Sequence, residues 1–302
     1  PQGSVLGPLL FNIYVNDLFY IIEYSDVCNY ADDTTFHACS SDVNDLILRL
    51  EHDSLLAIEW FESNFMKLNE EKCHFLVSGH KHEVMWSKIG ETKVWESNEQ
   101  KLLGVVVDKN LNFEKHISLL CQKTGIKLNI LARVSKYLNF SQRRNIMKAF
   151  IDSQFHYCSL IWMFCSRKSN NKINHLQERA IRIVYNDYIS SFDELLRKDK
   201  SLCIHHRNIH RLALEIYKVI HNESTNIMQE IFVIRNTNYN LRSQPFLVNS
   251  VNTASFGLES LRYFGQKIWN IIPLDIKASK TAYEFKNKIK CWIPNECPCK
   301  LC

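Results

Sequence analysis

Val27-Cys28-Asn29-Tyr30-Ala31-Asp32-Asp33-Thr34-Thr35-Phe36 is the stretch on which the reading of this chain turns. Val27 to Tyr30 and Thr34 to Phe36 are β-prone, and Ala31-Asp32-Asp33 between them spells a tight strand–turn–strand. Two adjacent acids at a hairpin tip repel each other, and a divalent cation removes that penalty. Hard carboxylate oxygens suit Mg²⁺. Taken alone, an Asp-Asp pair is most often a solvated turn, so the residues around it decide.

Upstream, Pro8 suits a first helical turn, and Leu10, Phe11, Tyr14, Val15 and Leu18 recur at helical spacing, which predicts a helix over 8–20. Downstream, Ser41 or Asp42 starts a long amphipathic helix with Val43, Leu46, Leu50, Ala57, Trp60 and Phe61 near one face. Short β-type segments follow around 73–78, 84–88, 92–96 and 102–107, with turns at Ile89-Gly90-Glu91 and Asp108-Lys109-Asn110. From about Glu114 helical periodicity takes over, through 115–139, 141–163, 171–187 and 203–221. A polar stretch at 234–252 reads as extended or loop, and helices at 257–271 and 280–290 precede a Cys-rich end. The fold class is therefore α+β, with an α+β unit to about residue 113 and a mainly helical remainder.

Charge sharpens that division. Residues 1–114 hold 8 Lys and Arg against 19 Asp and Glu, whereas residues 115–182 hold 13 against 2. An acidic block followed by a strongly basic helical one points to a polyanion partner for the second. No apolar run is long enough to span a bilayer. The 11 Cys are scattered and odd in number, which reads as free thiols of a reducing, intracellular compartment.

Tyr30-Ala31-Asp32-Asp33 resembles the Y-x-D-D box of reverse transcriptases. Pro1-Gln2-Gly3-Ser4-Val5-Leu6-Gly7-Pro8-Leu9-Leu10-Phe11 resembles the motif that precedes it, a Gln-Gly-Ser turn leading into a helix. Trp60 to Cys73 is similar to the helix and turn after the catalytic hairpin. Leu103-Gly104-Val105-Val106-Val107-Asp108, with Leu111-Asn112-Phe113 and His116-Ile117, resembles the family's primer-gripping hairpin and thumb entry. Gln177 to Arg182 and Arg262 to Pro273 resemble the C-terminal region of jockey-like proteins. The chain is thus similar to reverse transcriptases of LINE-type (non-long-terminal-repeat) retrotransposons over nearly its whole length. A group II intron maturase would share the chemistry, but the Leu103 to Ile117 motif and the Trp269-Asn270 region fit the LINE class better.

The resemblance implies an incomplete palm over 1–113, a basic helical thumb over 114–187 and a helical C-terminal region over 188–302. It implies RNA-directed DNA synthesis, with Asp32 and Asp33 binding two Mg²⁺ ions in the complete enzyme and Lys72 near the nucleotide phosphates as a general acid. Gln2, Gly3, Ser4 and Tyr30 would lie on the substrate side. Lys123, Lys127, Arg133, Lys136, Arg143, Arg144 and Lys148 would hold the RNA template and DNA primer that accept deoxynucleoside triphosphates. Gly3 would let the backbone approach a substrate closely.

The family uses a further aspartate from a strand before the Gln-Gly-Ser turn, and Asp17, in the helix after Pro8, does not replace it. Beginning at Pro1 inside an apolar stretch, the chain reads as a fragment of a longer reading frame, inactive alone. A non-catalytic, nucleic-acid-binding transposon remnant is the alternative. An element that copies itself at chromosomal DNA would work in the nucleus, although no targeting signal stands in these residues. Two metal readings are weaker. Cys203, His206 and His210 have a zinc-compatible spacing but no fourth ligand, and Cys291, Cys297, Cys299 and Cys302 crowd the end without a complete zinc knuckle.

Overall fold

Pro8 sits in the first turn of α1 (Gly7–Tyr14), where its fixed φ suits the helix and its missing N–H is no loss. In the computed structural model, which describes residues 3–79, 85–233 and 260–294, the chain divides into two units, Pro1–Gln100 and Lys101–Cys302. The expected helix over 8–20 is broken. Backbone bonds tighten to the i→i+3 pattern at Asn16, Leu18 and Phe19 before α2 (Leu18–Ile21). Asn16 and Asp17, both poor helix formers, stand at the break.

β1 (Asp26–Tyr30) and β2 (Asp33–His37) pair antiparallel from Asp26↔His37 to Tyr30↔Asp33, leaving Ala31-Asp32 as a two-residue loop. The long helix is present as α3 (Val43–Ser63), and the Asp42 carboxylate accepts the Asn44 N–H at 3.1 Å to cap it. Val15, Leu18, Ala57 and Trp60 form one small core, against which Phe36 of β2 packs. Burying such side chains contributes roughly 1.5–3 kcal/mol each.

β3 (Trp86–Ile89) and β4 (Thr92–Trp95) form a second hairpin through Gly90, whose φ of +60° suits glycine. Phe75, Val77 and Val94 form its core with Leu46, Ile47 and Leu50 of α3. The β-type segment at 73–78 forms no strand; Phe75 alone bridges to Glu96. At 102–107 there is a hairpin, β5 (Glu99–Leu102) and β6 (Val105–Asp108), turning at Leu103-Gly104. The division between units falls within β5. Among the described residues the strands make three separate two-stranded sheets.

The second unit is helical beyond that hairpin. α4 (Glu114–Val134) and a short 3₁₀ turn cover the expected 115–139. The continuous helix expected at 141–163 is corrected to α5 (Phe140–Ile146), a π turn at Met147–Ile151, a 3₁₀ turn at Asp152–Phe155 and α6 (Ser159–Trp162). Cys158 at φ +46° interrupts it, and the wide π turn seats Met147 and Ile151 in the core with Phe155. α7 (Arg167–Tyr185) starts earlier than expected because Ser166 caps it by accepting the Ser169 N–H. α8 (Phe192–Asp199), unread in the sequence, begins with a capping box between Ser191 and Glu194. These helices share one core with Ile117, Leu128, Leu131 and Trp162.

A second core gathers α9 (Ile204–Ile220), α11 (Leu261–Ile271), α12 (Leu274–Lys277) and α13 (Ala282–Ile289). The short α10 (Asn226–Ile231) precedes Phe232, which fills the space over Gly265 so closely that an added Cβ would lie 2.3 Å from its ring. The Arg262 to Pro273 motif is therefore mostly packing: Phe264, Ile268 and Trp269 are buried and Pro273 opens α12. The polar stretch at 234–252 lies outside the described residues. No helix among the described residues is long and apolar enough to cross a membrane.

Candidate active site and nucleic-acid surface

A two-residue hairpin loop needs positive φ at its first position, and here Ala31 supplies it at +56°. That conformation costs an L-residue about 1 kcal/mol or more. It aims Asp32 out of the ladder while Asp33 begins β2 opposite Tyr30. Tyr30, Asp32 and Asp33 are all exposed. Neither carboxylate makes a hydrogen bond or an ion pair among the described residues. With both carboxylates exposed and without such a partner among the described residues, their hard oxygens are available to a cation. No group of three or more His, Cys, Asp or Glu suited to a metal forms among the described residues, so no third acid joins this pair there.

The hairpin is held in place by a residue that pattern reading overlooked. Asp53 of α3 is fully buried, and its carboxylate accepts the Glu23 N–H at 3.1 Å and the Tyr24 N–H at 3.1 and 3.3 Å. These bonds fix the chain two residues before β1. The one available signal was a lone Asp on the apolar side of α3, one turn before Ala57.

Gly3 has φ +85° and open space around it, so its backbone conformation selects glycine. Ser4 Oγ accepts the Gly7 N–H at 3.0 Å, and a Cβ on Gly7 would meet that oxygen at 2.8 Å. The Gly-Ser turn therefore has a local task, starting α1. Gln2 lies outside the described residues. Lys72 ends the 3₁₀ turn Glu70–Lys72 and is exposed; no ion pair among the described residues joins it to Asp32 or Asp33.

The Leu103 to Ile117 motif has a structural explanation within the second unit. Leu103 at φ +45° and Gly104 at +86° make the tight turn. The Asp108 carboxylate accepts the N–H groups of Asn110, Asn112 and Phe113 at 3.1, 3.3 and 2.8 Å, shaping the loop into α4. His116, buried, accepts the Val106 N–H on Nδ1 at 3.4 Å, sewing the hairpin to the helix. Burial, then the Lys123 charge, lowers the His116 pKa, which keeps the imidazole neutral and able to accept. The Tyr157 hydroxyl donates to the Leu103 carbonyl.

The basic residues separate into two sets. Lys123, Arg133, Lys136 and Lys148 are exposed and Lys127 is half-buried. Arg143 and Arg144 turn inward instead. Arg143 donates to the Ile183 carbonyl at 3.4 Å, and Arg144 donates to the Asp199 carbonyl at 3.2 Å and pairs with its buried carboxylate at 3.3 Å. The two arginines expected to face a nucleic acid are half-buried and tie α5 to α7 and α8. Gln177 is likewise structural, its amide donating to the Leu202 carbonyl at 2.8 Å and accepting the Ile204 N–H at 3.0 Å.

Of the weaker metal readings, His210 gives Nε2 to the Trp292 carbonyl at 2.7 Å. Burial raises the Cys203 pKa, which disfavours the thiolate a metal needs. Cys291 is exposed, and Cys297, Cys299 and Cys302 lie outside the described residues.

Residues 1–107, which include the acidic hairpin and the Gly-Ser turn, match the family described as reverse transcriptase (RNA-dependent DNA polymerase). Among particular proteins, the chain is similar to the probable RNA-directed DNA polymerase from transposon X-element of Drosophila melanogaster, 26% identical over 206 residues, covering 61% of this chain and 21% of that protein. It is also similar to the RNA-directed DNA polymerase from mobile element jockey. With the Drosophila melanogaster protein it shares 24% identity over 193 residues, 60% of this chain and 21% of the relative. With that of Drosophila funebris it shares 26% identity over 193 residues, with the same coverage. The chain thus spans about a fifth of the length of the curated relatives it matches. No solved structure matches.

Proposed function

We propose that this chain is part of an RNA-directed DNA polymerase of a LINE-type, jockey-like retrotransposon. The observation that carries the proposal is the Tyr30-Ala31-Asp32-Asp33 turn, with its two exposed, unpartnered carboxylates, inside a region matching reverse transcriptases. On this reading residues 1–113 are palm, 114–187 thumb and 188–302 a C-terminal region.

Asp32 and Asp33 would hold Mg²⁺, since they offer hard oxygens with no competing partner among the described residues. The bound ions supply activation of a primer 3′-hydroxyl and support for the departing pyrophosphate. Gln2, Gly3, Ser4 and Tyr30 would border the incoming nucleotide, with Lys72 toward its phosphates. The exposed lysines and Arg133 of the thumb would track template and primer through their phosphates, without reading bases. The workplace of such an enzyme would be the nucleus.

With no third acid joining them among the described residues, the two carboxylates would give a weak metal site, so residues 1–302 by themselves should extend a primer little or not at all. The test is a purified chain given a DNA primer on an RNA template, nucleotides and Mg²⁺. Binding of the hybrid with at most slow extension, lost in Asp32→Ala, supports the proposal. Absence of hybrid binding contradicts it. Robust synthesis that Asp32→Ala abolishes would overturn the two-carboxylate expectation while leaving the polymerase reading intact.

A further inference from the structure

We infer that the thumb's main phosphate-binding track is a row on α7, formed by Lys168, Lys172, His175 and Arg179, rather than the arginine pair of α5. The inference rests on the proposed nucleic-acid function and names the surface that serves it.

Spacings of four, three and four residues place these four side chains on one face of a helix, over an axial length of about 16 Å. All four are exposed. The exposed positions of α7 are these four with Arg167 and Asn171, so the face carries no acid. Glu178 is the acidic residue of the helix. It sits half-buried and is occupied by Arg182, whose guanidinium donates to it at 2.5 and 3.2 Å, with His175 at 3.5 Å. Lys168 and Lys172 make no ion pair among the described residues.

α4 borders the row. Ser166, at the start of α7, donates to Glu114 at 3.1 Å, and Arg179 donates to Asn129 at 2.7 Å. Offsets of 52 and 50 residues make the two helices run side by side in the same direction. On α4, next to Asn129, Ile126 and Ile130 are 62% and 56% exposed. A cationic row beside an exposed apolar strip matches a nucleic-acid backbone, which alternates phosphates with sugar carbons. Glu114, the acid at one end, is engaged by Ser166 and lies beyond the row. A shallow depression bordered by His175, Glu178, Arg179 and Arg182 marks the other end.

The experiment uses the whole chain and an RNA–DNA hybrid, read by fluorescence anisotropy across a salt series. The expected result for K168Q/K172Q/R179Q is an affinity loss of about tenfold or more near physiological salt and a log–log salt slope flatter by about 2–3. The charge-reversed K168E/K172E/R179E should lose more. Circular dichroism melts of both should match the parent, because these side chains are exposed. R143Q, which disturbs a tie inside the fold, should lower the melting temperature while leaving the salt slope in place. An unchanged affinity and slope in both α7 variants, with the parent binding normally, overturns the inference alone. A parent chain that binds no hybrid overturns the proposed function as well. Equal loss of binding to a polyglutamate chain and to the hybrid identifies an acidic-protein surface and also overturns it.

Discussion

The hairpins β1–β2 and β5–β6 are both closed by two-residue turns with left-handed backbone, yet their tips are treated in opposite ways. At Ala31-Asp32-Asp33 the two acids have no hydrogen-bond or ion-pair partner among the described residues, and the strain in Ala31 is borne by a residue with a Cβ. At Leu103-Gly104 the turn is fastened by Tyr157, the strand behind it by His116, and the loop beyond by Asp108. In one hairpin the carboxylates make no hydrogen bond or ion pair among the described residues. In the other the polar groups are consumed by the protein itself. The difference separates motif residues that the fold engages from motif residues that it leaves exposed, and the proposed metal site rests on the second kind.

Removing fastenings should therefore damage stability, and removing the free acids should not. The largest loss is expected for Asp53→Ala, which leaves two N–H groups near a buried site without their acceptor. About 3 kcal/mol should go, seen in urea unfolding followed by a probe in the first unit. Asp108→Ala removes the carboxylate that accepts three N–H groups around an exposed loop and should cost about 1–2 kcal/mol, measured by urea unfolding with a probe in the second unit. Should either substitution be neutral, the contrast between anchored and free acids fails.

Acid tests the β5–β6 hairpin differently. The folded pKa of His116 lies below its usual 6.5, so the unfolded chain takes up the proton first as pH falls. Its contribution is present above pH 6.5 and is lost as pH drops below that value toward the folded pKa. His156 and His210 are shifted down mainly by burial as well and act in the same sense. The melting temperature of the second unit should fall on acidification from pH 7 to 5, and His116→Gln should reduce that dependence. The smallest stability effect belongs to Ala31→Gly, which should raise stability by up to about 1 kcal/mol by relieving positive φ. A loss there would mean that Ala31 makes packing contacts that matter more than its backbone strain.

Periodicity revealed much of the architecture because α3, α4, α7 and α9 carry apolar residues at helical spacing over many turns. It missed α8 although Ser191 and Glu194 spell a capping box, since eight residues give periodicity little to work on. It drew 141–163 as one helix because composition does not register a π turn or a left-handed Cys158. The strand–turn–strand around Asp32 and Asp33 was legible from local residue types, whereas its reading as a metal site came from the neighbouring motifs. The fate of Arg143 and Arg144 was not, because their partners Ile183 and Asp199 lie 40 and 55 residues away. Asp53 was hidden for the same reason: a carboxylate bound by two distant backbone amides looks, in sequence, like any other acid.

The central claim is that the β1–β2 tip holds its two carboxylates for a divalent cation. Mn²⁺ titration of the purified, isotope-labelled chain, followed by paramagnetic broadening of backbone amides, tests it most directly. The expected result is saturable broadening centred on residues 30–34, absent from Asp32→Asn/Asp33→Asn, with a melting temperature in that variant equal to or above the parent's. Amides at 30–34 that stay sharp, or broadening that survives the double substitution, would contradict it.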